Sequence, residues 1–267
     1  MTEWVDYPSA GDGHGHTVAG TVKVLPALRS PQLGNERDIL VYLPPSYAAG
    51  ERHYPVVYMH DGQNLFDAAT SFAGEWAVDQ TLEAAGREAG LEAIVVGVPN
   101  MGAERLAEYS PFPDARLGGG RGEAYLDFIV ETVKPLVDAA FRTQPSRATT
   151  GIAGSSMGAL ISLYGFFRRP ETFGFVGAMS PAFWFGGHAI FGHVRRAPYA
   201  AGRVYLDAGT QEGPAVLRDA RRMHDLLRQK GYRPGRELLY VEESGAGHNE
   251  AAWAGRLRRE LEFLLGG

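Results

Sequence analysis

The sequence predicts an α/β fold, a doubly wound and mostly parallel sheet with antiparallel strands at its amino-terminal end and no separate cap domain. Three observations predict it. Short apolar runs alternate with segments of helical period, and strand, helix, strand is the unit of a parallel sheet. The first two runs have no helix between them, only Pro31 and the turn pair Gly34-Asn35, so they read as antiparallel strands. About twenty residues separate Pro181 from Arg203, too few for an independent cap. With 267 residues, 45% of them hydrophobic, the chain can bury a large core in one domain. Residues 1–16 read as a flexible amino-terminal segment and residues 17–267 as the domain.

Each element has a local signal. Residues 18–24 and 38–43 are the β-rich runs of the antiparallel opening, and Pro44-Pro45 ends the second. Residues 54–59 form the next strand, followed by a loop from His60, a helical pattern over 76–85 and a strand over 93–98. A Gly- and Pro-rich loop over 100–122 is too long for idle linkage. Tyr125, Phe128, Ile129, Thr132, Leu136 and Phe141 then recur at helical spacing in spite of Pro135. An apolar stretch ends at Ala153, and a periodic run covers 159–167. The strand over 174–179 leads into an aromatic loop, then a strand over 203–206. A helix over 214–230 begins with Pro214 and is closed by Gly231. The last strand, 237–241, leads through Gly245 and Gly247 to a closing helix with Trp253, Leu257, Leu261 and Leu264 on one face.

Composition narrows the function. A net charge of −5 argues against nucleic acid or an anionic membrane surface as partner, since both demand a concentrated basic face. Arg218, Arg221 and Arg222 read as the solvated side of a helix. Without cysteine there is no disulfide framework, thiolate metal site or cysteine nucleophile. The first residues, with Glu3 and Asp6, lack the basic and apolar regions of a signal peptide, so the expected location is cytoplasmic. His14 and His16 without an acidic partner read as a solvated tail, so no metal or cofactor is expected.

The chemistry centres on Gly154-Ser155-Ser156-Met157-Gly158, a Gly-x-Ser-x-Gly turn where an apolar stretch gives way to a helical run. Such a turn presents a serine beside a base and near amide donors that can hold an oxyanion. A phosphate-loop reading of the same glycines fails, because no lysine follows them and the spacing is not Gly-x-Gly-x-x-Gly. The candidate base is His248, in the loop directly after the last strand, where the glycines before it let the chain fold over the carboxyl edge of the sheet. The orienting acid should leave the end of the preceding strand, where Asp207 and Glu212 both stand. Glu212 is preferred because it lies beyond the strand and can reach over the edge, leaving Asp207 as runner-up. The amide of Met157 is one candidate oxyanion donor; Gly62 or Gln63, in the loop after the early parallel strand, offers the second. His60 and Asp61 are adjacent on extended chain and point apart, so His60 reads as structural and Asp61 as a brace of its loop. Asp61 is also kept as a candidate for substrate contact.

These stretches resemble the esterase family of α/β-hydrolases that includes enterochelin-type, feruloyl and acetyl-xylan esterases, S-formylglutathione hydrolases and mycolyltransferases. The likeness runs through Val41-Tyr42-Leu43-Pro44-Pro45-Ser46-Tyr47, the run from Tyr58 through His60-Asp61-Gly62-Gln63-Asn64 to Phe66, and the elbow with Gly151-Ile152-Ala153 before it. It continues through Met179-Ser180-Pro181-Ala182-Phe183-Trp184, Leu206 to Gly213, and Gly247-His248-Asn249-Glu250. The resemblance implies Ser156, Glu212 and His248 as a catalytic triad that hydrolyses esters of small molecules through an acyl-enzyme. Ser155 stands where S-formylglutathione hydrolases carry histidine, which sets the chain apart from that subgroup. Without a cap the site is expected to be open and to favour soluble esters of short acyl groups. Tyr109 and Phe112 on one side, and Phe183, Trp184, Phe185 and Phe191 on the other, are candidates for its walls and equally for the core. An acyltransferase would use the same acyl-enzyme. A non-catalytic binding protein on this fold would have lost a triad member, whereas all three can be named here.

Overall fold

The structure, a computed structural model, describes residues 3–8 and 15–266. In chain order they form strands β1 Val5–Asp6, β2 Thr21–Arg29, β3 Glu36–Leu43, β4 Val56–His60, β5 Ile94–Val98, β6 Thr150–Ser155, β7 Phe175–Met179, β8 Arg203–Gly209 and β9 Leu238–Glu243. The helices are α1 Val78–Ala89, α2 Arg105–Glu108, α3 Gly122–Asp127, α4 Lys134–Ala140, α5 Met157–Arg168, α6 Phe185–Arg196, α7 Pro214–Gln229 and α8 Glu250–Leu265. The chain divides into two compact units. One holds the residues up to Met101, Asp127–Pro145 and those from Asn249 on; the other holds Gly102–Leu126 and Ser146–His248.

In the first unit the strands lie in the order β1-β2-β3-β5-β4. The pairs β1/β2, β2/β3 and β3/β5 are antiparallel and β4/β5 is parallel. Pro26 cannot donate to the ladder, and β2 bulges there: the register shifts between Leu25 and Leu28, and Asp38 Oδ1 accepts the Ala27 amide at 2.8 Å. β4 and β5 are buried along their whole length, as continuous apolar runs of a parallel pair are. Trp253, Leu257, Leu261 and Leu264 of α8 are buried as their spacing predicts, with the Trp253 ring tilted 36° to that of Trp76 at 5.6 Å.

Some of the described residues of the amino-terminal segment have partners in the domain. Val5–Asp6 pairs with Val24 and Lys23 as an edge strand. Tyr7 Oη donates to Asp67 Oδ2 at 3.1 Å, and His16 Nδ1 meets the same oxygen at 2.5 Å. The sequence reading of a flexible, solvated tail missed this because Asp67 lies some fifty residues away in sequence. His14 lies outside the described residues. Burial pushes the Asp67 carboxyl up, but the bonds from His16, the Ala69 and Thr17 amides and Tyr7 hold it below its ordinary value.

The second unit is four parallel strands in the order β6-β7-β8-β9, each joined to the next by one helix. α5 is buried from Met157 to Phe167 and lies against β6 and β7; a helix apolar all round belongs in a core. Between β7 and β8, where the sequence reads as an aromatic loop, the chain forms α6. Gly186, Gly187 and His188 at its start take left-handed angles, a conformation that two glycines make accessible and that masks the helical pattern. Because the strands are parallel, the ends of β6, β7, β8 and β9 deliver their loops to one edge. Among the described residues no helix is long and apolar enough to cross a membrane.

Candidate active site

The turn between β6 and α5 holds Ser156 at φ 56°, ψ −116°, a conformation that a non-glycine residue keeps only when its surroundings impose it. Its amide donates to the Met179 carbonyl at 3.0 Å and its carbonyl accepts from the Ala182 amide at 3.0 Å, so the loop after β7 fixes the turn on both sides. Ser155 is buried in β6. Ser156 Oγ lies 3.0 Å from His248 Nε2, and His248 Nδ1 lies 3.0 Å from Glu212 Oε2.

The loops bearing the last two residues are stitched together. The Gln211 amide donates to the Ala246 carbonyl, the Thr210 amide to the Glu243 carbonyl, and the Gly245 amide to Thr210 Oγ1. Gly209 sits where a Cβ would collide with the Ala246 carbonyl and come within 2.9 Å of Glu212 Oε1, so this close approach requires glycine. The Glu212 side chain is fully buried, while that of His248 keeps 40% of its surface exposed. Burial pushes the Glu212 carboxyl up; the bonds from His248, Ser180 and the Gly209 amide outweigh it and hold the group below the usual carboxylate range.

Asp207, the runner-up acid, is fully buried at the end of β8 and faces elsewhere. Its Oδ1 accepts the Ser180 amide at 3.1 Å and its Oδ2 the Tyr205 hydroxyl at 3.0 Å. Met157 opens α5, where the first amides of a helix have no partner within it. Gly62 and Gln63 lie in the first unit, in a single 3₁₀ turn after β4 that follows Asp61 at φ 56°. Glycine at 62 is required by the backbone of β5, since a Cβ would come within 2.7 Å of Gly97, Val98 and Pro99. Gln63 Oε1 accepts the Asn100 amide, and Asp61 Oδ1 accepts Asn100 Nδ2 at 2.7 Å. Asp61 thus braces the loop after β5, and His60 is buried in β4.

The aromatic wall is largely core. Tyr109 is fully buried against Tyr125, and Phe183 against Phe191, with Phe185 and Phe191 buried as well. The area such rings remove from water outweighs their placement in loops. Phe112 is half-buried, edge-on to Tyr164. Trp184 alone of the proposed wall is broadly exposed, at 46%. Ser180 is a residue whose place the sequence reading missed: its Oγ donates to Glu212 Oε1 at 2.5 Å. Its signals were a place in the run Met179-Ser180-Pro181 that carries the family resemblance and a hydroxyl at the end of the strand beside β8.

Comparison with known proteins bears on this arrangement. A family model described as "Putative esterase" matches residues 30–264. YbbA of Bacillus subtilis (strain 168) is 29% identical over 254 residues, 90% of this chain and 96% of YbbA. The siderophore triacetylfusarinine C esterase of Aspergillus fumigatus is 34% identical over 148 residues, 53% of this chain and 48% of that enzyme. The crystal structure of the enterobactin esterase FES from Shigella flexneri, determined in the presence of enterobactin, superposes with a TM-score of 0.74 at 20% identity, covering 96% of this chain and 61% of that one. That likeness is one of fold, the fold of the α/β-hydrolases. Matched by the family model over most of its length, the chain belongs to this esterase family, whose relatives support a hydrolase acting on esters.

Proposed function

We propose that this protein is a serine carboxylesterase in which Ser156 is the nucleophile, His248 the general base and Glu212 the orienting acid. The observation that carries the reading is the continuous path from Ser156 Oγ through His248 to Glu212, with both links at 3.0 Å. The carboxylate at Nδ1 sets the tautomer with its proton on Nδ1, leaving Nε2 to accept. Nε2 takes the serine proton as Oγ attacks the ester carbonyl, and the Glu212 charge stabilises the imidazolium that results. The amide of Met157, immediately after the nucleophile, is the donor we assign to the oxyanion. Collapse expels the alcohol, protonated from Nε2, and leaves an acyl group on Ser156. Water then attacks the acyl carbon with His248 again as base, releasing the acid and restoring the hydroxyl.

The substrates we assign are soluble esters of short acyl groups, supported by a connection between β7 and β8 that contains α6 in place of a cap. The exposed indole of Trp184 suits a planar group on the acyl or alcohol side. Siderophore esters and enterobactin, taken from the names of the relatives, join short aryl and alkyl esters in a substrate screen. A fluorophosphonate should add one adduct per chain at Ser156, and Ser156→Ala should abolish both adduct and turnover, the latter by roughly 10⁴-fold or more. Labelling at another residue, or faster turnover of long-chain triglyceride than of butyryl esters, would overturn the assignment of nucleophile or substrate respectively.

A further inference from the structure

The Glu212 carboxylate is held from two sides. Its Oε2 faces His248, while its Oε1 accepts from Ser180 Oγ at 2.5 Å and from the Gly209 amide at 2.7 Å. Ser180 is itself under constraint. It is fully buried, with φ at 47° in the left-handed region, where glycine would sit without strain. Its amide donates to both the carbonyl and Oδ1 of Asp207, at 3.0 and 3.1 Å. Asp207 in turn is fixed by the Tyr205 hydroxyl. Glycine would take this backbone angle without strain; what serine adds here is a hydroxyl aimed at a carboxylate.

We infer that Ser180 is a positioning residue for ester hydrolysis. Its hydroxyl fixes the Glu212 carboxylate, and through it the His248 ring, in line with Ser156, while Asp207 anchors Ser180 from behind. This rests on the reading of Ser156, His248 and Glu212 as nucleophile, base and acid. Without the Ser180 hydroxyl, Oε1 keeps the Gly209 amide but is held less firmly, and the carboxylate can turn from its alignment with Nδ1. Buried with one donor fewer, it is also more readily protonated, and a neutral acid no longer stabilises the imidazolium. The second carboxylate at the end of β8 therefore acts two bonds out from the relay, as its anchor.

Ser180→Gly is the informative variant, because glycine accepts φ 47° and the change removes only the hydroxymethyl group; Ser180→Ala, which keeps Cβ, accompanies it. The expected result is a native-like circular dichroism spectrum and a kcat lower by about tenfold, with KM within about twofold. The acid limb of the kcat profile should move to higher pH, and the low-field proton resonance of His248 Nδ1 should shift or broaden. A Ser180→Gly protein with wild-type kcat, acid limb and resonance would overturn the inference, as would a change in KM alone. A resonance that Ser180→Gly displaces, in a protein whose wild type turns over no ester, would uphold the positioning role while refuting the esterase reading.

Discussion

At the scale of single residues, two carboxylates five positions apart have different surroundings, and the difference is testable. Glu212 meets the imidazole and Asp207 meets a backbone amide and a tyrosine hydroxyl. Glu212→Gln should lower turnover by about 10³ to 10⁴ with the fold retained, because the amide neither sets the tautomer nor stabilises the imidazolium. Asp207→Asn should cost about 1 to 2 kcal/mol of stability in urea denaturation, with a much smaller loss of turnover. Equal losses of activity would contradict the division of roles. No step of the proposed chemistry uses a metal, so turnover should survive exhaustive chelation. Ser156, His248 and Glu212, which the fold brings together, were legible because each lies in a local pattern: a glycine-flanked turn, a glycine-rich loop and a strand end. Ser180 was not, since its bond to Glu212 spans 32 residues and depends on which strand lies beside β8. Nor were the aromatics, because a phenylalanine in a loop has the same pattern whether it lines a wall or fills the core.

Among the elements, β1 went unread and β2 was read only as far as Val24; the other strands were read to within a few residues and the helices less evenly. The segment around Pro135 shows why. The spacing of Thr132 and Leu136 predicts a buried face, yet a π-helical stretch, Phe128–Val133, intervenes before α4. Proline has no amide to donate to the carbonyl four residues back and its ring crowds that carbonyl, and the wider turn accommodates both. One extra residue in the turn rotates α4 by about a quarter turn. Val133 and Val137 are therefore buried and Leu136 is exposed. Val137→Ala should cost about 2 kcal/mol in chemical denaturation and Leu136→Ala within about 0.5 kcal/mol, the reverse of what the sequence spacing implies. α6 escaped notice for a related reason, since its opening glycines and histidine adopt left-handed angles that no periodicity reports.

For the molecule as a whole, the sharpest consequence concerns pH and stability. Asp79, in the first turn of α1, is fully buried, and burial pushes its carboxyl up to about 7 although the Ala19 and Gln80 amides pull the other way. In the unfolded chain the group ionises near 4. A carboxyl raised in the folded state carries no penalty below its unfolded value; between about 4 and 7 the unfolded chain alone loses the proton, so folding weakens as pH rises. Each unit of displacement is worth about 1.4 kcal/mol. Asp79→Asn, which can still accept the Ala19 amide, should flatten the fall in Tm between pH 5 and 8 and raise Tm at pH 8. An unchanged slope would mean that another group governs it. The four parallel strands have a consequence of a different kind. β6, β7, β8 and β9 bear Ser156, Ser180, Glu212 and His248 in turn, one group beyond each carboxyl end, and the serine precedes its base by 92 residues. The proposed nucleophile therefore precedes in the chain the base proposed to activate it. On the proposed chemistry the protein stays inactive until β9 has docked and brought His248 to Ser156, so the onset of ester turnover during refolding would report completion of this sheet.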